Sequence, residues 1–307
     1  MIVQMIACGI NPGDNAFIAG VFAKGSIPVS RYDICGVSGV GTVTQTGSGV
    51  PSAYLGRNVT LYRSLRFSDA LVGTWCEEAH VHRQHCVLLP DDVPPEDYSG
   101  SLVNMITPFA FLQQVKEEGH KGIIATAGTS ATGIAMLGIC LAYDVPLISI
   151  VRDAASGKQL EALGAKNILI QTDPEFKKQL ADMAQRLDAT AVFDGVGSAL
   201  LAGILDAFPR HTTIYSYGYL GGFAPLAMPL GLIMKMDLTL RSFGNFTSKT
   251  VSDPTRLDSA LAALAGIIRE PYFATRVGRT CGFEAIGDAL SYRSDNGGKA
   301  VLQPSSR

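Results

Sequence analysis

The strongest constraint on the fold is a stretch of small and apolar residues between Ile123 and Arg152. It opens with a short apolar run, continues through the turn Gly128-Thr129-Ser130-Ala131-Thr132-Gly133, and carries no charge as far as Tyr143. A second apolar run then leads to Arg152. This pattern predicts a strand, a tight turn, a helix and another strand. That order is the βαβ unit that opens a dinucleotide-binding domain.

The turn has the small residues that a bound diphosphate requires. In the G-x-G-x-x-G pattern the first Gly permits the bend, a small middle residue admits the pyrophosphate, and the third Gly lets the helix pack on the strand. Ser130 holds the middle position here. Peptide N–H groups and the helix dipole then hold the phosphates without a basic side chain. The predicted phosphate-binding residues are Gly128, Thr129, Ser130, Ala131 and Gly133.

The end of the second strand indicates which dinucleotide binds. An acidic residue about 20 positions beyond the turn holds the ribose 2′-hydroxyl of NAD, whereas Arg accommodates the 2′-phosphate of NADP. Arg152 stands at this place, and Lys158 follows as a second cation. The sequence therefore favours NADPH. Two alternatives stay open, because Arg152 could end the strand in solvent and Asp153 could take the acidic role.

The composition is that of a well-buried globular protein. Of the 307 residues 47% are hydrophobic and 17% are charged, and the net charge of −2 makes nucleic acid a poor candidate partner. The uncharged spans Ile123–Tyr143 and Thr212–Met234 are long enough to raise the question of a membrane. Parallel strands covered on both faces are also near-continuously apolar. We interpret both spans as core and expect no membrane partner.

The cysteines and the start of the sequence indicate the compartment. Six cysteines are scattered without a C-x-x-C pair, and the first residues lack the pattern of a secretory signal. Free thiols are the rule in a reducing compartment. We expect a cytoplasmic protein.

The chain before the βαβ unit reads as a β-rich domain. Short strands with intervening turns are predicted at Gly36–Val43, Asn58–Tyr62 and Glu78–Val87, and a helix at Ser99–Glu118 leads to the first strand of the parallel sheet. Beyond Arg152 helices and strands alternate, which predicts a doubly wound parallel sheet. The predicted elements are helices at Ser156–Leu163, Asp173–Leu187, Leu200–Ala207 and Pro254–Ile268, and strands at Asn167–Gln171, Ala191–Phe193, Thr213–Tyr217 and Gly297–Pro304.

Several motifs, in the same order and at similar spacing, resemble those of the medium-chain dehydrogenase/reductase superfamily. The closest likeness is to its zinc-free quinone oxidoreductase and enoyl-thioester reductase branches. The matching segments are Gly9-Ile10-Asn11-Pro12-Gly13-Asp14, Gly36-Val37-Ser38-Gly39-Val40-Gly41-Thr42-Val43, Gly73-Thr74-Trp75 with Glu78-Ala79, Leu163-Gly164-Ala165, Asp194-Gly195-Val196-Gly197 and the final Gly298-Lys299-Ala300-Val301-Leu302.

The resemblance implies a fold and an assembly. A GroES-like β-barrel catalytic domain would comprise residues 1–102 and 247–307, and a Rossmann nucleotide-binding domain would comprise residues 103–246. Members of the family bind NADPH between the two domains and commonly form homodimers. They also have about two strands before the Gly-Ile-Asn-Pro motif, so we expect the catalytic domain to be shortened at its N terminus.

The resemblance also bears on zinc. The Cys, His and Glu of the zinc enzymes align with Asn11, Val37 and Ser38, which cannot supply the thiolate, imidazole and carboxylate that zinc requires. His80 and His82 would share one face of a strand and form a fortuitous ligand pair. An ordinary surface strand is the simpler interpretation, and we expect no metal.

The family positions suggest further site residues. Asn11, Thr107 and Tyr217 are the predicted catalytic residues, with Thr107 at the start of the helix that enters the Rossmann domain. Each also has a structural alternative: a turn Asn before Pro, a helix cap, and a core tyrosine. The predicted cofactor contacts beyond the phosphate turn are Arg152, Lys158, Val196, Gly197, Tyr217, Phe243 and Lys299.

The predicted function is zinc-independent, NADPH-dependent hydride transfer to a quinone or an activated alkene. Mitochondrial-type enoyl-thioester reductases place a proton-donating tyrosine where this chain has Phe22, which has no proton to donate. That departure disfavours 2-enoyl-thioester reduction, which remains the first alternative. A non-catalytic NADPH-binding regulatory protein is the second.

Overall fold

The structure is a computed structural model that describes residues 1–20, 34–63, 73–294 and 297–304. It divides into two compact units. The terminal unit contains residues 1–106 and 250–307, and the central unit contains residues 107–249. The domain bounds expected from the sequence, 102/103 and 246/247, lie a few residues before these divisions.

The described part of the terminal unit is built on a seven-stranded sheet. The strands are β1 (Ile2–Gly9), β2 (Ser38–Gln45), β3 (Asn58–Tyr62), β4 (Glu78–His80), β5 (Cys86–Leu88), β12 (Val277–Gly282) and β13 (Lys299–Gln303). Their order in the sheet is β12-β13-β1-β2-β3-β5, with β4 paired to β1.

The two ends of the chain meet in this sheet. Strand β13 pairs antiparallel with β1, where Cys8 lies opposite Leu302. Val3, Leu61 and Leu302 are among the fully buried side chains of the hydrophobic core beneath. The prediction that the C-terminal strand returns to the first domain is confirmed. Helices of this unit are α1 (Pro12–Ile18), α9 (Pro254–Ile267) and α10 (Ile286–Ser291).

One predicted strand of this unit is wrong. The sequence favours a continuous strand over Glu78–Val87, but β4 ends at His80 and a 3-10 turn at Arg83–His85 precedes β5. The turn is stabilised locally, since the backbone N–H of Gln84 donates to Nδ1 of His82. His80 and His82 therefore do not share a strand face.

The described part of the central unit contains a six-stranded parallel sheet. Its strands are β6 (Gly122–Ala125), β7 (Leu147–Val151), β8 (Asn167–Ile170), β9 (Ala189–Asp194), β10 (Thr213–Ser216) and β11 (Thr239–Ser242). Their order in the sheet is β11-β10-β9-β6-β7-β8. Read from the other edge, this is the doubly wound order 3-2-1-4-5-6, so the predicted Rossmann fold class is confirmed. The helices are α3 (Ala131–Ala142), α4 (Ala154–Ala162), α5 (Phe176–Arg186), α6 (Ser198–Ile204) and α7 (Leu230–Met236).

Two helices span the divisions between the units, and the position of Thr107 in one of them differs from the prediction. Helix α2 (Ser101–Glu117) and the short α8 (Lys249–Ser252) each begin in one unit and end in the other. Thr107 lies within α2 and not at its start, because the helix continues through Pro108. The predicted helix-capping alternative for Thr107 is therefore wrong.

The two long uncharged spans differ in how much of each is buried. Ile123–Tyr143 forms β6, the turn and α3, whose Ile134–Cys140 stretch is buried, as predicted for core. Thr212–Met234 is core only as far as β10. Phe223, Leu230 and Met234 are 66–73% exposed because the chain leaves the sheet after that strand. No helix among the described residues is long and apolar enough to cross a bilayer.

The close packing of strands β1 and β2 requires glycine at position 41. A Cβ atom there would lie 2.3 Å from the carbonyl oxygen of Gln4 on the neighbouring strand. The carbonyl group of Gln4 cannot rotate away from an added methyl group as a flexible side chain could. We therefore expect Gly41→Ala to lower the free energy of unfolding by about 1–3 kcal/mol, measured by urea denaturation. Gly47→Ala, with nothing within 4 Å of its added Cβ, is the control, and equal stability of the two variants would contradict this account.

Candidate functional site

The topological switch point of the central unit lies between β6 and β9. On one side of this point the chain adds β7 and β8 to the sheet, and on the other side it adds β10 and β11. Ligands of doubly wound sheets bind outside the carboxyl ends of the strands at this point. Thr126 follows β6 and Asp194 ends β9, and both side chains are fully buried. The Thr126 hydroxyl donates to Oδ1 of Asp194 over 2.7 Å. This bond joins the two strand ends at the switch point.

The turn after β6 has the tight packing that its glycines predict. Ala127 adopts a φ of +55°, and the N–H of Gly128 donates to the carbonyl of Ile150 on β7. A Cβ on Gly133 would lie 2.4 Å from the carbonyl oxygen of Ala127. Gly133 therefore brings α3 against the end of β6, as expected for the third glycine of the motif.

Ser130 opens helix α3. Its Oγ accepts from the N–H of Gly133 over 3.1 Å, which makes it the N-cap. The N–H groups of Thr129, Ala131 and Thr132 have no acceptor among the described residues, and these residues are partly exposed. Free N–H groups at the positive end of a helix form an anion site. This geometry fits the phosphates of a dinucleotide.

The end of β7 presents two cations. Arg152 follows the last residue of the strand and is exposed, as is Lys158 on α4. Asp153 between them is the N-cap of α4, where its Oδ1 accepts from the N–H of Ser156 over 2.8 Å. That backbone bond holds the pKa of Asp153 below its usual value. Asp153 thus has a structural role in the helix, and the two cations remain accessible.

The loop after β9 is organised by the Asp194 carboxylate. Its Oδ1 also accepts from the N–H groups of Val196 and Gly197, at 3.2 and 3.1 Å. Gly197 has a φ of +70° and a ψ of −156°, a conformation that other residues rarely adopt. Oδ2 of Asp194 is buried without a hydrogen-bond partner among the described residues. The predicted contacts Val196 and Gly197 therefore lie in a loop shaped by one buried charge.

Tyr217 lies over this loop. Its ring stacks on Phe193 with centroids 3.8 Å apart, and a Cβ on Gly195 would meet the Tyr217 hydroxyl at 2.5 Å. The hydroxyl is buried without a hydrogen-bond partner among the described residues. Burial raises the pKa of Tyr217, the nearby Ser130 side chain lowers it and the Asp194 charge raises it. Tyr217 is thus close to both loops of the switch point.

Two other predicted residues lie elsewhere in the central unit. Phe243 is buried beside Phe111, with ring centroids 5.3 Å apart, and its N–H donates to the carbonyl of Ser216. Thr107 is half-buried on α2, and its hydroxyl accepts from Nδ2 of Asn245 over 3.1 Å. The structure brings neither into the loops that contain Ser130 and Gly197.

The terminal unit has a polar cluster of its own around Asn11. Oδ2 of Asp14 accepts from the backbone N–H of Asn11 at 2.8 Å and from its side-chain Nδ2 at 3.0 Å. Nδ2 also donates to Oγ of Ser38 over 3.0 Å. On the other side, the Lys299 ammonium donates to Oδ1 of Asn11. We call Asn11, Asp14, Ser38 and Lys299 the Asn11 cluster.

Burial sets the charges of the cluster. It raises the pKa of Asp14, although the bonds from Asn11 and the charges of Lys299 and Arg63 act in the opposite direction. Burial also lowers the pKa of Lys299 to about 8, and the negative charge of Asp14 opposes that change. Arg63 donates through Nε to the carbonyl of Gly36 over 2.7 Å. The cluster therefore holds a carboxylate and an ammonium on opposite sides of one amide.

Sequence reasoning missed Asp14, Thr126 and Asp194 as site residues. Asp14 stands three positions after an Asn that begins a helix, a spacing typical of N-terminal helix capping. That signal predicts the contact with Asn11 but not the one with Lys299. Thr126 is an ordinary residue at a strand end, and nothing in the sequence marks its bond to Asp194.

Two predictions remain to be compared with the structure: the absence of a bound metal and the lack of a proton donor at Phe22. Within the described ranges, no three His, Cys, Asp or Glu side chains are grouped so that they could hold a metal ion. Phe22 lies outside the described residues. The absence of zinc and the consequence of Phe22 both stay predictions.

Comparison with known proteins gives matches along nearly the whole chain. Residues 1–91 match the alcohol dehydrogenase GroES-like domain. The human mitochondrial enoyl-[acyl-carrier-protein] reductase is 27% identical over 277 residues, which cover 87% of this chain and 70% of that protein.

Solved structures share the fold. A Mesorhizobium loti protein proposed to be an NADPH:quinone reductase has a TM-score of 0.79 at 24% identity, covering 99% of this chain and 86% of its own. Escherichia coli quinone oxidoreductase, crystallised with NADPH, has a TM-score of 0.75 at 19% identity, covering 99% of this chain and 91% of its own.

The buried bond between Thr126 and Asp194 is open to direct test. Thr126→Val keeps the side-chain volume but removes the hydroxyl, so the N–H of Gly195 loses its acceptor and Asp194 loses a donor. We expect the free energy of unfolding to fall by about 1–3 kcal/mol, measured by urea denaturation. Thr172→Val, at an exposed turn, is the control. A loss no greater than that of the control would mean that this bond does not stabilise the switch point.

Proposed function

We propose that the chain is a medium-chain dehydrogenase/reductase and acts as an NADPH-dependent reductase of quinones or activated alkenes. The observation that carries the proposal is the switch point of the central unit. There a helix N-terminus with free N–H groups lies beside a glycine loop ordered by Asp194. These are the features that dinucleotide phosphates need.

The residues present fit NADPH. The N–H groups of Thr129 and Ala131 would hold the diphosphate, and Arg152 and Lys158 would bind the ribose 2′-phosphate. Asp153 does not compete for the ribose because its carboxylate caps α4. When bound, NADPH supplies the hydride. The protein would contribute the orientation of the cofactor and the substrate.

We propose that the reaction proceeds without zinc. Asn11, Val37 and Ser38 occupy the positions of metal ligands in the zinc enzymes, and none of the three is a thiolate, an imidazole or a carboxylate. Asn11 and Ser38 are hydrogen-bonded to each other at 3.0 Å. The six cysteines form no disulfide bond, which supports a cytoplasmic location.

Reduction of 2-enoyl thioesters is the second candidate. It is favoured by the 27% identity to a mitochondrial enoyl-[acyl-carrier-protein] reductase over most of the chain. Phe22 at the position of the family's tyrosine speaks against it. The quinone or enone substrate is therefore the first choice.

The preference for NADPH over NADH tests the proposed role of Arg152, which follows β7. We expect the protein to bind NADPH at least about 10-fold more tightly than NADH. Arg152→Ala should remove most of that difference, because the variant loses a salt bridge or bidentate hydrogen bond to the 2′-phosphate. A loss of about 1.4 kcal/mol in binding free energy corresponds to a 10-fold change in the dissociation constant. Binding is measured by nucleotide fluorescence. Lys166→Ala, which removes an exposed cation from the same unit, is the control. An Arg152→Ala protein with undiminished preference for NADPH would contradict the assignment.

The substrate class is tested with a panel. We expect NADPH oxidation with quinones and enones and slower or no reaction with crotonyl thioesters, followed by absorbance at the reduced-nicotinamide band. Faster turnover of the thioester would favour the second candidate. Tight NADPH binding without hydride transfer to any member of the panel would favour a regulatory protein.

We also propose a homodimer that forms through strand β11. All four residues of this edge strand are exposed, and Leu230 and Met234 on α7 are 70% and 73% exposed. An open strand edge with exposed apolar side chains is suited to pairing with a second copy. We expect a dimer by sedimentation velocity, and a shift toward monomer in Leu240→Lys but not in Leu55→Lys, where a leucine of similar exposure lies in the other unit. A monomeric wild-type protein would refute the dimer.

A further inference from the structure

We propose that the side chain of Tyr217 is a gate over the dinucleotide site of the central unit, closed in this structure, which has to rotate away before NADPH binds. The inference rests on the proposed function and goes beyond it, because Tyr217 was predicted only as a catalytic residue and a cofactor contact. A gate differs from a contact in one measurable respect. Removing a contact weakens binding, whereas removing a closed gate speeds the entry of the nucleotide.

The ring of Tyr217 lies at the edge of the sheet where a dinucleotide binds. Tyr217 directly follows β10, and its ring stacks on Phe193 of β9 with centroids 3.8 Å apart and an interplanar angle of 11°. Burial raises the pKa of Tyr217 and the Ser130 side chain lowers it, so the hydroxyl lies close to the residue that opens α3. Dinucleotides cross the carboxyl ends of the strands at the switch point. The ring therefore occupies part of the crevice beside the phosphate turn.

A glycine makes room for the ring in this position. A Cβ atom on Gly195 would lie 2.5 Å from the hydroxyl oxygen of Tyr217 and 2.7 Å from its Cζ, closer than such atoms approach in proteins. Gly195 is itself held on both sides. Its N–H donates to Oγ1 of Thr126 over 2.9 Å, and its carbonyl accepts from the N–H of Leu220 over 3.0 Å. The ring lies where it does because residue 195 has no side chain.

The backbone that carries the ring is fixed as well. The N–H of Tyr217 donates to the carbonyl of Asp194 over 2.9 Å. A Cβ on Gly218 would lie 2.9 Å from the carbonyl oxygen of Gly195, so the two segments are in close contact. Movement of the whole segment would break these contacts, whereas rotation about the Cα–Cβ bond of Tyr217 breaks none of them. The moving part is therefore the side chain alone.

Two opposing interactions make both positions of the ring accessible. Stacking on Phe193 favours the closed position. The hydroxyl favours the open one, because it is buried without a hydrogen-bond partner among the described residues and loses the hydration that it has in water. Tyr217 as a whole is partly exposed, so a change of rotamer brings the hydroxyl to solvent. The closed ring is held by one apolar contact and opposed by one unsatisfied polar atom.

The rate at which NADPH associates tests the gate without turnover. An open form that makes up about 10% of the protein or less slows association in proportion, so Tyr217→Ala should bind NADPH at least about 10-fold faster than the wild type. Stopped-flow nucleotide fluorescence measures the rate. Tyr219→Ala is the matched control, because this tyrosine lies on the same segment but stacks on Phe223, with centroids 4.6 Å apart. Its association rate should equal that of the wild type.

A second variant opens the gate and keeps the tyrosine. The methyl group added in Gly195→Ala takes the space of the Tyr217 hydroxyl and should displace the ring, because the backbone of residue 195 is held on both sides. We expect association of NADPH to be accelerated about as much as in Tyr217→Ala. In the double variant the two effects should not add, since no ring remains to be displaced. Additive effects would contradict the gate.

Removal of the hydroxyl alone should have the opposite effect on the rate. Tyr217→Phe keeps the ring and loses the unsatisfied hydroxyl, so the closed position is stabilised. We expect association about 10-fold slower, an unchanged dissociation rate and a higher melting temperature of the free protein. A hydroxyl that binds the nucleotide would instead leave the association rate unchanged and speed dissociation in this variant. That result would overturn the inference.

The position of the ring can also be followed directly. After incorporation of 3-fluorotyrosine, ¹⁹F NMR reports each tyrosine, and Tyr217→Phe identifies the Tyr217 signal. In the free wild type this signal should be shifted by the ring of Phe193. Addition of oxidised NADP should move it toward the signal of an exposed tyrosine, and Gly195→Ala should do the same without nucleotide. A Tyr217 signal that neither change moves would refute the gate.

The outcomes separate the two proposals. Wild-type protein that binds neither NADPH nor NADH would overturn the proposed function. Wild-type protein that binds NADPH, together with a folded Tyr217→Ala variant that binds it no faster, would overturn the gate alone. If Tyr217→Ala unfolds, seen as a lower melting temperature by circular dichroism, the association rate of Gly195→Ala decides between the same two results.

Discussion

The loops at the carboxyl edge of the central unit's sheet depend on the buried carboxylate of Asp194. A buried charge is costly unless it is hydrogen-bonded, and Oδ1 accepts from Thr126, Val196 and Gly197. The Thr126 hydroxyl in turn accepts from the N–H of Gly195. One carboxylate thus orders the loop after β9 and joins it to the end of β6. Ala127, which has a positive φ, follows Thr126 directly and leads into the turn before α3.

The parallel sheet was predictable because its signals are local. Each strand is a short apolar run, each helix follows a turn, and the order alternates; in the β-rich unit, Asn58–Tyr62 was predicted to the residue. The failures arise where a tertiary contact or the local backbone overrides the pattern. Residues 78–87 alternate like a strand, but a 3-10 turn at Arg83–His85 interrupts them. The apolar residues after β10 look like core, yet they lie beyond the sheet and are exposed.

The site was only partly predictable for the same reason. The turn containing Ser130 and the cation Arg152 are set by short sequence spacings, and the structure places both at strand ends. Lys299 and Asn11 were selected by resemblance, but their hydrogen bond joins residues 288 positions apart. No local pattern reveals such a contact. Asp14 and Thr126 escaped notice because their importance comes from partners that the fold brings to them.

The polar groups of the two units are of different kinds, and this difference explains which substitutions each unit tolerates. The central unit offers peptide N–H groups, so replacing the middle glycine by Ser130 leaves the donors of the turn in place. The terminal unit depends on a few side chains whose charges must balance. Asp14 and Lys299 offset one another, and Arg63 beside Asp14 adds a buried cation whose NH1 has no hydrogen-bond partner among the described residues. When all three are ionised, one positive charge remains. A buried positive charge of this kind favours negative charge on a neighbouring group.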